Sequence, residues 1–189
     1  DKDFSEFKRS FIPAFAESLG MVEYSRRLKK VVKPIFKSQT VSNTLGKVIS
    51  DQKLKQLRIA ETEKFAHVTY FFNGGDEKEF NGEDRVLVPS PRVKTYDLQP
   101  EMSAYEMTDI VIKKIKSQIY DFILINYANT DMVGHSGQME ATIKAVETLD
   151  KCANKLLNVS KDENYTLILT SDHGNADCMI DDLLMPCTT

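Results

Sequence analysis

Phe122-Ile123-Leu124-Ile125 is a continuous apolar run, and Asn126-Tyr127-Ala128-Asn129-Thr130-Asp131 follows it directly. Four apolar residues without alternation suit a strand buried on both faces of a parallel sheet. Residues 138–158 then carry Met139, Ile143, Val146, Leu149, Ala153, Leu156 and Leu157 at helical spacing. Tyr165-Thr166-Leu167-Ile168-Leu169-Thr170 follows as a second apolar run. Strand, long helix, strand predicts a β-α-β unit with parallel strands and a right-handed crossover. The fold class is therefore α/β: a mainly parallel central sheet flanked by helices.

Upstream the same alternation continues. Ser42 or Asn43 is placed to cap a helix with Leu45, Val48 and Ile49 on one face. Leu57-Arg58-Ile59-Ala60 reads as a short strand, and Thr62 to Phe72 as helix, stopped by Asn73-Gly74-Gly75. Residues 76–84 read as a polar loop, and Val86-Leu87-Val88 as a strand closed by Pro89. Ser103 and Glu106 form a capping-box pattern that opens a helix to about Lys116.

Residues 1–38 differ. Phe4, Phe7, Phe11, Ile12 and Phe15 recur as on a short amphipathic helix, interrupted by Pro13. Residues 26–37 hold six cations in twelve positions. With no aromatic-stacking module beside it, this stretch reads as a solvated strand or linker whose apolar residues face inward. The expected organisation is the end of one domain over 1–38 and a second domain over 39–189.

The 189 residues, 41% hydrophobic and 28% charged, suffice for one ordinary domain or a domain plus part of another. A net charge of −3 argues against a polyanion-coating protein. No apolar run reaches the roughly 18 residues of a membrane span. Three cysteines without a C-x-x-C pattern argue against a disulfide framework and a zinc ribbon, and for reduced thiols in the cytoplasm. No signal or transit peptide opens the sequence, and its termini read as those of a piece of a longer polypeptide.

The chemistry gathers after the two apolar runs, where ligands bind in open α/β sheets. The first run leads to Asp131 and His135, the second to Asp172, His173 and Gly174. One helical turn would put Asp131 and His135 on the same face, about 6 Å apart at Cβ. Carboxylate plus imidazole suits Mn²⁺ or Zn²⁺ better than Ca²⁺. Four ligands would serve two metals if other segments completed each shell. The third histidine, His67, lies within an apolar helical stretch and reads as structural. Lys64 on its pattern alone reads as an exposed helix lysine.

Ile59–Gly75, Val86–Asp109, Ile125–Asp150 and Leu169–Met179 resemble the cofactor-independent phosphoglycerate mutases, members of the alkaline phosphatase superfamily. The resemblance implies an alkaline-phosphatase-like fold, with residues 1–38 the tail of a phosphotransferase domain and its linker. It implies that 3-phosphoglycerate and 2-phosphoglycerate are interconverted through a phosphoserine. It makes Asp131 and His135 ligands of one Mn²⁺, Asp172 and His173 ligands of a second, and Lys64 a contact to the transferring phosphate; Mg²⁺, Co²⁺ or Zn²⁺ are alternatives. The family's nucleophilic serine, an aspartate ligand and the substrate-binding arginines have no counterpart in these residues, so no catalytic nucleophile is assigned. A histidine ligand is expected just beyond Thr189. The expected setting is a cytoplasmic monomer acting on a small molecule, with no nucleic-acid or membrane partner. Two other classes fit part of the pattern: a metal-dependent phosphatase or phosphopentomutase, and an inactive fragment or remnant.

Overall fold

The computed structural model describes residues 6–8, 10–11, 15–23, 28–37, 41–183 and 185–187. The chain divides into two compact units, Asp1–Val41 and Ser42–Thr189. In the first, β1 (Leu19–Gly20) and β2 (Lys33–Pro34) pair in parallel around a 3₁₀ turn at Leu28–Lys30. No helix forms among the described residues before Leu28; Phe7, Phe11 and Phe15 are exposed, while Phe4 and Ile12 lie outside the described residues. Val31, Ile35 and Phe36 are also exposed rather than turned inward. Lys33 of the basic stretch pairs with Glu17 at 2.7 Å; Arg26 and Arg27 lie outside the described residues. Phenylalanine spacing alone supplies no helix when no second surface covers the apolar face.

The second unit is built on a three-stranded parallel sheet. Helix α1 (Leu45–Asp51) precedes β3 (Gln56–Glu61); β4 (Glu83–Val88), α2 (Ala104–Lys116), β5 (Phe122–Asn126), α3 (Asn129–Gly134) and α4 (Met139–Asp162) follow. The order across the sheet is β4-β3-β5. Gln56 stands opposite Glu83 and Phe122, and Ala60 opposite Leu87 and Asn126, so all three strands end level. Every residue of central β3 is buried. Ile59 packs with Val88, Met107, Val111, Ile115, Leu156 and Val159, which places α2 and α4 over one face. Each such side chain contributes about 1.5–3 kcal/mol through burial, enough to fix which face the helices cover.

The opposite face is polar. Arg58, fully buried, donates to Gln56 Oε1 at 2.5 Å and lies 4.3 Å from the Phe72 ring centroid. Gln56 Nε2 donates to Gly46 O at 2.9 Å, which docks α1. Only Gly46 and Ile49 of α1 are buried; Leu45 and Val48, assigned above to its inner face, are exposed. Its cap is Thr44, whose hydroxyl accepts from Lys47 N–H at 3.3 Å, rather than Ser42 or Asn43.

Other local expectations also shift. Thr62–Phe72 is not a regular helix: a 3₁₀ turn at Thr62–Lys64 leads to a π turn at His67–Phe71. Ser103 makes no capping bond; its hydroxyl donates to Pro89 O at 2.7 Å and ties α2 to the end of β4. The largest difference lies at Tyr165–Thr170, which joins no sheet among the described residues. Ile168 and Leu169 are 83% and 81% exposed. Apolarity marks a segment that buries well, but a strand also needs a hydrogen-bonding neighbour, and among the described residues β5 pairs only with β3.

At the end of β3, Glu61 is fully buried and makes no side-chain hydrogen bond within the described residues. Burial pushes its carboxyl up to about 6; the nearby Ser90 and Ser103 dipoles pull it back only in part, and Glu63 adds to the rise. A folded-state value above the unfolded one means the native protein holds this proton more tightly. The resulting penalty is absent below about pH 4.5 and complete above about pH 6. Glu61→Gln is therefore expected to raise stability by about 1–2 kcal/mol at pH 8 and by almost nothing at pH 4. Urea unfolding at both pH values measures this; an equal gain at both would show that charge burial is not the cause.

Candidate metal centre

The level strand ends put β3 and β5 side by side at one edge of the sheet. Beyond β3 the chain turns through Thr62–Lys64 and buries Lys64 to 3% exposure. This differs from the exposed helix lysine expected from its local pattern. A buried ammonium requires counter-charge, and two carboxylates supply it. Lys64 Nζ lies 2.5 Å from Asp131 Oδ2 and 3.9 Å from Asp172 Oδ2.

Asp131 sits in the first turn of α3, directly after β5. Asn129 anchors that helix by donating to Pro100 O at 2.8 Å. Val133 and Ala128 pack against Met102 and Ala145. The same turn brings His135 Nε2 to 3.2 Å from Asp131 Oδ1. Asp172 and His173 arrive on the loop after Tyr165–Thr170, with His173 Nε2 at 3.9 Å from Asp131 Oδ2 and 3.8 Å from Asp172 Oδ2. The structure thus brings Lys64, Asp131, His135, Asp172 and His173 into one cluster.

Two asparagines not singled out by sequence complete it. Asn175 Nδ2 donates to Asp131 Oδ1 at 2.8 Å and to its carbonyl at 3.1 Å. Asn126 Nδ2 lies 3.4 Å from Asp172 Oδ2. Their available signal was position: Asn126 ends the apolar run of β5 just ahead of Asp131, and Asn175 follows Asp172 and His173 in the same loop. His67 opens the π turn that follows Lys64. It meets the Phe71 ring edge-on at 5.4 Å, and its buried Nδ1 has no hydrogen bond within the described residues. Burial and the Lys64 charge hold its imidazole below the ordinary value, against the opposing pull of Asp172 and Asp131.

Burial works to raise the Asp131 carboxyl, but hydrogen bonds from Lys64 and Asn175 and the charges of Lys64 and His135 outweigh it and hold it below the ordinary value. Asp172 is lowered likewise: burial is outweighed by Asn126, Lys64 and His173. Both acids are thus held as carboxylates, the form that accepts a metal ion. A cavity of about 520 Å³ opens here, lined by Lys64, Tyr127, Thr130, Asp131, Asp172 and His173. His135 faces a second cavity of about 280 Å³, beside Lys94 and Tyr96.

Two carboxylates and two imidazoles are a donor set that fits a divalent transition ion. Among the described residues, no group of three or more His, Cys, Asp or Glu side chains is arranged to hold an ion by itself. The Lys64 ammonium instead balances the carboxylates.

A parallel sheet with an acid and an imidazole on α3 after β5, and a second such pair on the loop that reaches them, is an arrangement that metal-dependent α/β enzymes share. The Metalloenzyme superfamily profile matches residues 19–189, and the chain belongs to that superfamily. Within it, the chain is similar to 2,3-bisphosphoglycerate-independent phosphoglycerate mutases. That of Ehrlichia ruminantium (strain Gardel) is 57% identical over 164 residues, covering 87% of this chain and 32% of that protein. That of Clostridium beijerinckii is 51% identical over 181 residues, covering 96% and 35%. The crystal structure of Leishmania mexicana phosphoglycerate mutase at low cobalt concentration matches with a TM-score of 0.77 and 33% identity, over 99% of this chain and 34% of that one. The chain spans about a third of the length of these relatives.

Gly134 marks a close approach of α3 to the Asp172 loop: a Cβ there would lie 2.9 Å from Asn175 Oδ1. Gly134→Ala is expected to push Asn175 off Asp131 while removing a helix-weakening glycine. Affinity for a divalent ion should fall by about tenfold or more if Asp131 is a ligand that Asn175 orients, with the melting temperature kept or raised. Mn²⁺ titration and thermal melting on one preparation separate the effects. Unchanged affinity would show that Asn175 does not position Asp131.

Proposed function

We propose that these residues form the metal-binding part of a 2,3-bisphosphoglycerate-independent phosphoglycerate mutase, which interconverts 3-phosphoglycerate and 2-phosphoglycerate. In this reading residues 39–189 are the metal-binding domain and residues 1–38 the tail of the phosphotransferase domain with its linker. Asp131 and His135 hold one Mn²⁺, and Asp172 and His173 a second. The enzyme works as a cytoplasmic monomer. The observation that carries the reading is the buried Lys64 ammonium bracketed by Asp131 and Asp172, in a chain so similar to mutases along most of its length. The three free cysteines accord with a reducing compartment.

The ions would supply Lewis acidity, lowering the nucleophile's pKa and offsetting phosphoryl charge. Lys64 adds a fixed positive charge at the cavity wall, where it meets phosphoryl oxygens as charge builds on them. Its ammonium is aimed in advance by Asp131, so little reorganisation accompanies transfer. Asn175 holds the other Asp131 oxygen and keeps that acid from rotating away. Serine nucleophile and glycerate-binding groups come from other parts of the complete enzyme in this reading. The cavity of about 520 Å³ is of a size for a small phosphorylated acid.

The test is steady-state kinetics on the complete enzyme at saturating Mn²⁺. His173→Ala is expected to lower mutase turnover by several orders of magnitude, since each ~1.4 kcal/mol of lost transition-state stabilisation is tenfold in rate. His67→Ala is expected to cost about 1–3 kcal/mol of stability through lost packing against Phe71, while keeping most activity per folded molecule. A dead but folded His67→Ala beside an active His173→Ala would reverse the assignment. Release of inorganic phosphate without 2-phosphoglycerate would make the protein a metal-dependent phosphatase instead.

A further inference from the structure

Beyond Asn175 the chain forms a short hairpin. Ile180 and Pro186 make an antiparallel bridge. Asp181 N–H donates to Met185 O and Cys187 N–H to Met179 O, each at 2.9 Å. Asp181 Oδ1 accepts from the N–H groups of Leu183 and Met185 at 2.9 and 2.8 Å and closes the turn. Met179 is buried at 6% exposure and seats the hairpin's base.

This backbone pairing brings two thiols together. Cys178 Sγ and Cys187 Sγ lie 3.8 Å apart, both as free cysteines. Cys178 is exposed and Cys187 half-buried, whereas Cys152 is fully buried in α4. The sulfurs are already in van der Waals contact, and side-chain rotation must close only the remaining distance to a bond of about 2.05 Å. Neither cysteine has a place in the metal-centre chemistry above.

We propose that Cys178 and Cys187 are an oxidisable pair, which takes a low-molecular-weight disulfide as oxidant and closes into an intramolecular disulfide across the hairpin. The Cys178 thiolate attacks one sulfur of the external disulfide RSSR; a Cys178–SR bond forms, the external S–S bond breaks, and RS⁻ leaves. The Cys187 thiolate then attacks the Cys178 sulfur; the Cys178–Cys187 bond forms and a second RS⁻ leaves. The two protons released by the cysteines end on the two RS⁻ groups, so two protein thiols are oxidised and one external disulfide is reduced to two thiols. Exposure makes Cys178 the first to react. Burial and the neighbouring Cys178 push the Cys187 thiol up, which makes it the slower of the two toward the external disulfide; in the second step the proximity of the sulfurs compensates for the smaller thiolate fraction. The bond would pin the hairpin that follows the Asp172–Asn175 loop and leave the loop itself unbridged.

The experiment is oxidation of the intact native protein with oxidised glutathione, followed by alkylation and mass mapping. Of Cys152, Cys178 and Cys187, the last two should lose their thiols and Cys152 should keep its own. The tryptic fragment following Lys161, which carries both cysteines, should become lighter by about 2 Da with no glutathione retained. Cys178→Ser and Cys187→Ser should each instead keep one glutathione on the remaining cysteine. Closure in the native protein should run about tenfold or more faster than in urea, because the hairpin holds the sulfurs together. Stable glutathione adducts on the unsubstituted protein, a link between two chains, or equal rates in native protein and urea would each overturn the proposal.

Discussion

A lysine ammonium removed from water must be neutralised where it lies. Lys64, at 3% exposure, meets that condition only because Asp131 and Asp172 stand beside it. Its carrier is the turn after β3, while its two anions come from α3 after β5 and from the loop beyond α4. Three distant segments must therefore end at the same place. Parallel pairing with Ala60 opposite Asn126 brings the first two there, and Asn175 binds the third to the second.

The sheet that supports this convergence has two unlike faces. Over one, α2 and α4 supply an apolar core around Ile59. Under the other, Arg58 is buried against Phe72 and Gln56, with Glu83 near enough to support its charge. Burial still lowers Arg58 to about 10, which leaves it cationic at neutral pH. Glu83 is itself held by Arg85 Nε at 2.6 Å and Phe80 N–H at 3.1 Å. Gly46 has no side chain because the Arg58 guanidinium fills that space. Such a face depends on particular partners, so it fixes where α1 and the π turn sit more tightly than an apolar surface would.

The same arrangement prepares the acids for an ion. Their carboxylates lie below the ordinary range despite burial, since the hydrogen bonds and charges around them favour the ionised form. Lys64 offsets the negative charge of both acids, a role that a divalent ion would share. Membership of the Metalloenzyme superfamily accords with that donor set.

Sequence by itself determined the parallel α/β class, strands β3 to β5, helices α2 and α4, and the i, i+4 approach of His135 to Asp131. These follow from local periodicity and from loops placed after apolar runs. Tertiary structure alone decided that Lys64 is buried, that Asn175 grips Asp131, that His67 meets the Phe71 ring, and that Cys178 meets Cys187. Each depends on segments far apart in the chain or on a turn with no repeating pattern. Tertiary structure also left Tyr165–Thr170 outside the sheet. An apolar run records how a segment partitions from water, but a strand forms only when another backbone offers its N–H and C=O groups, and that partner is a property of the folded chain.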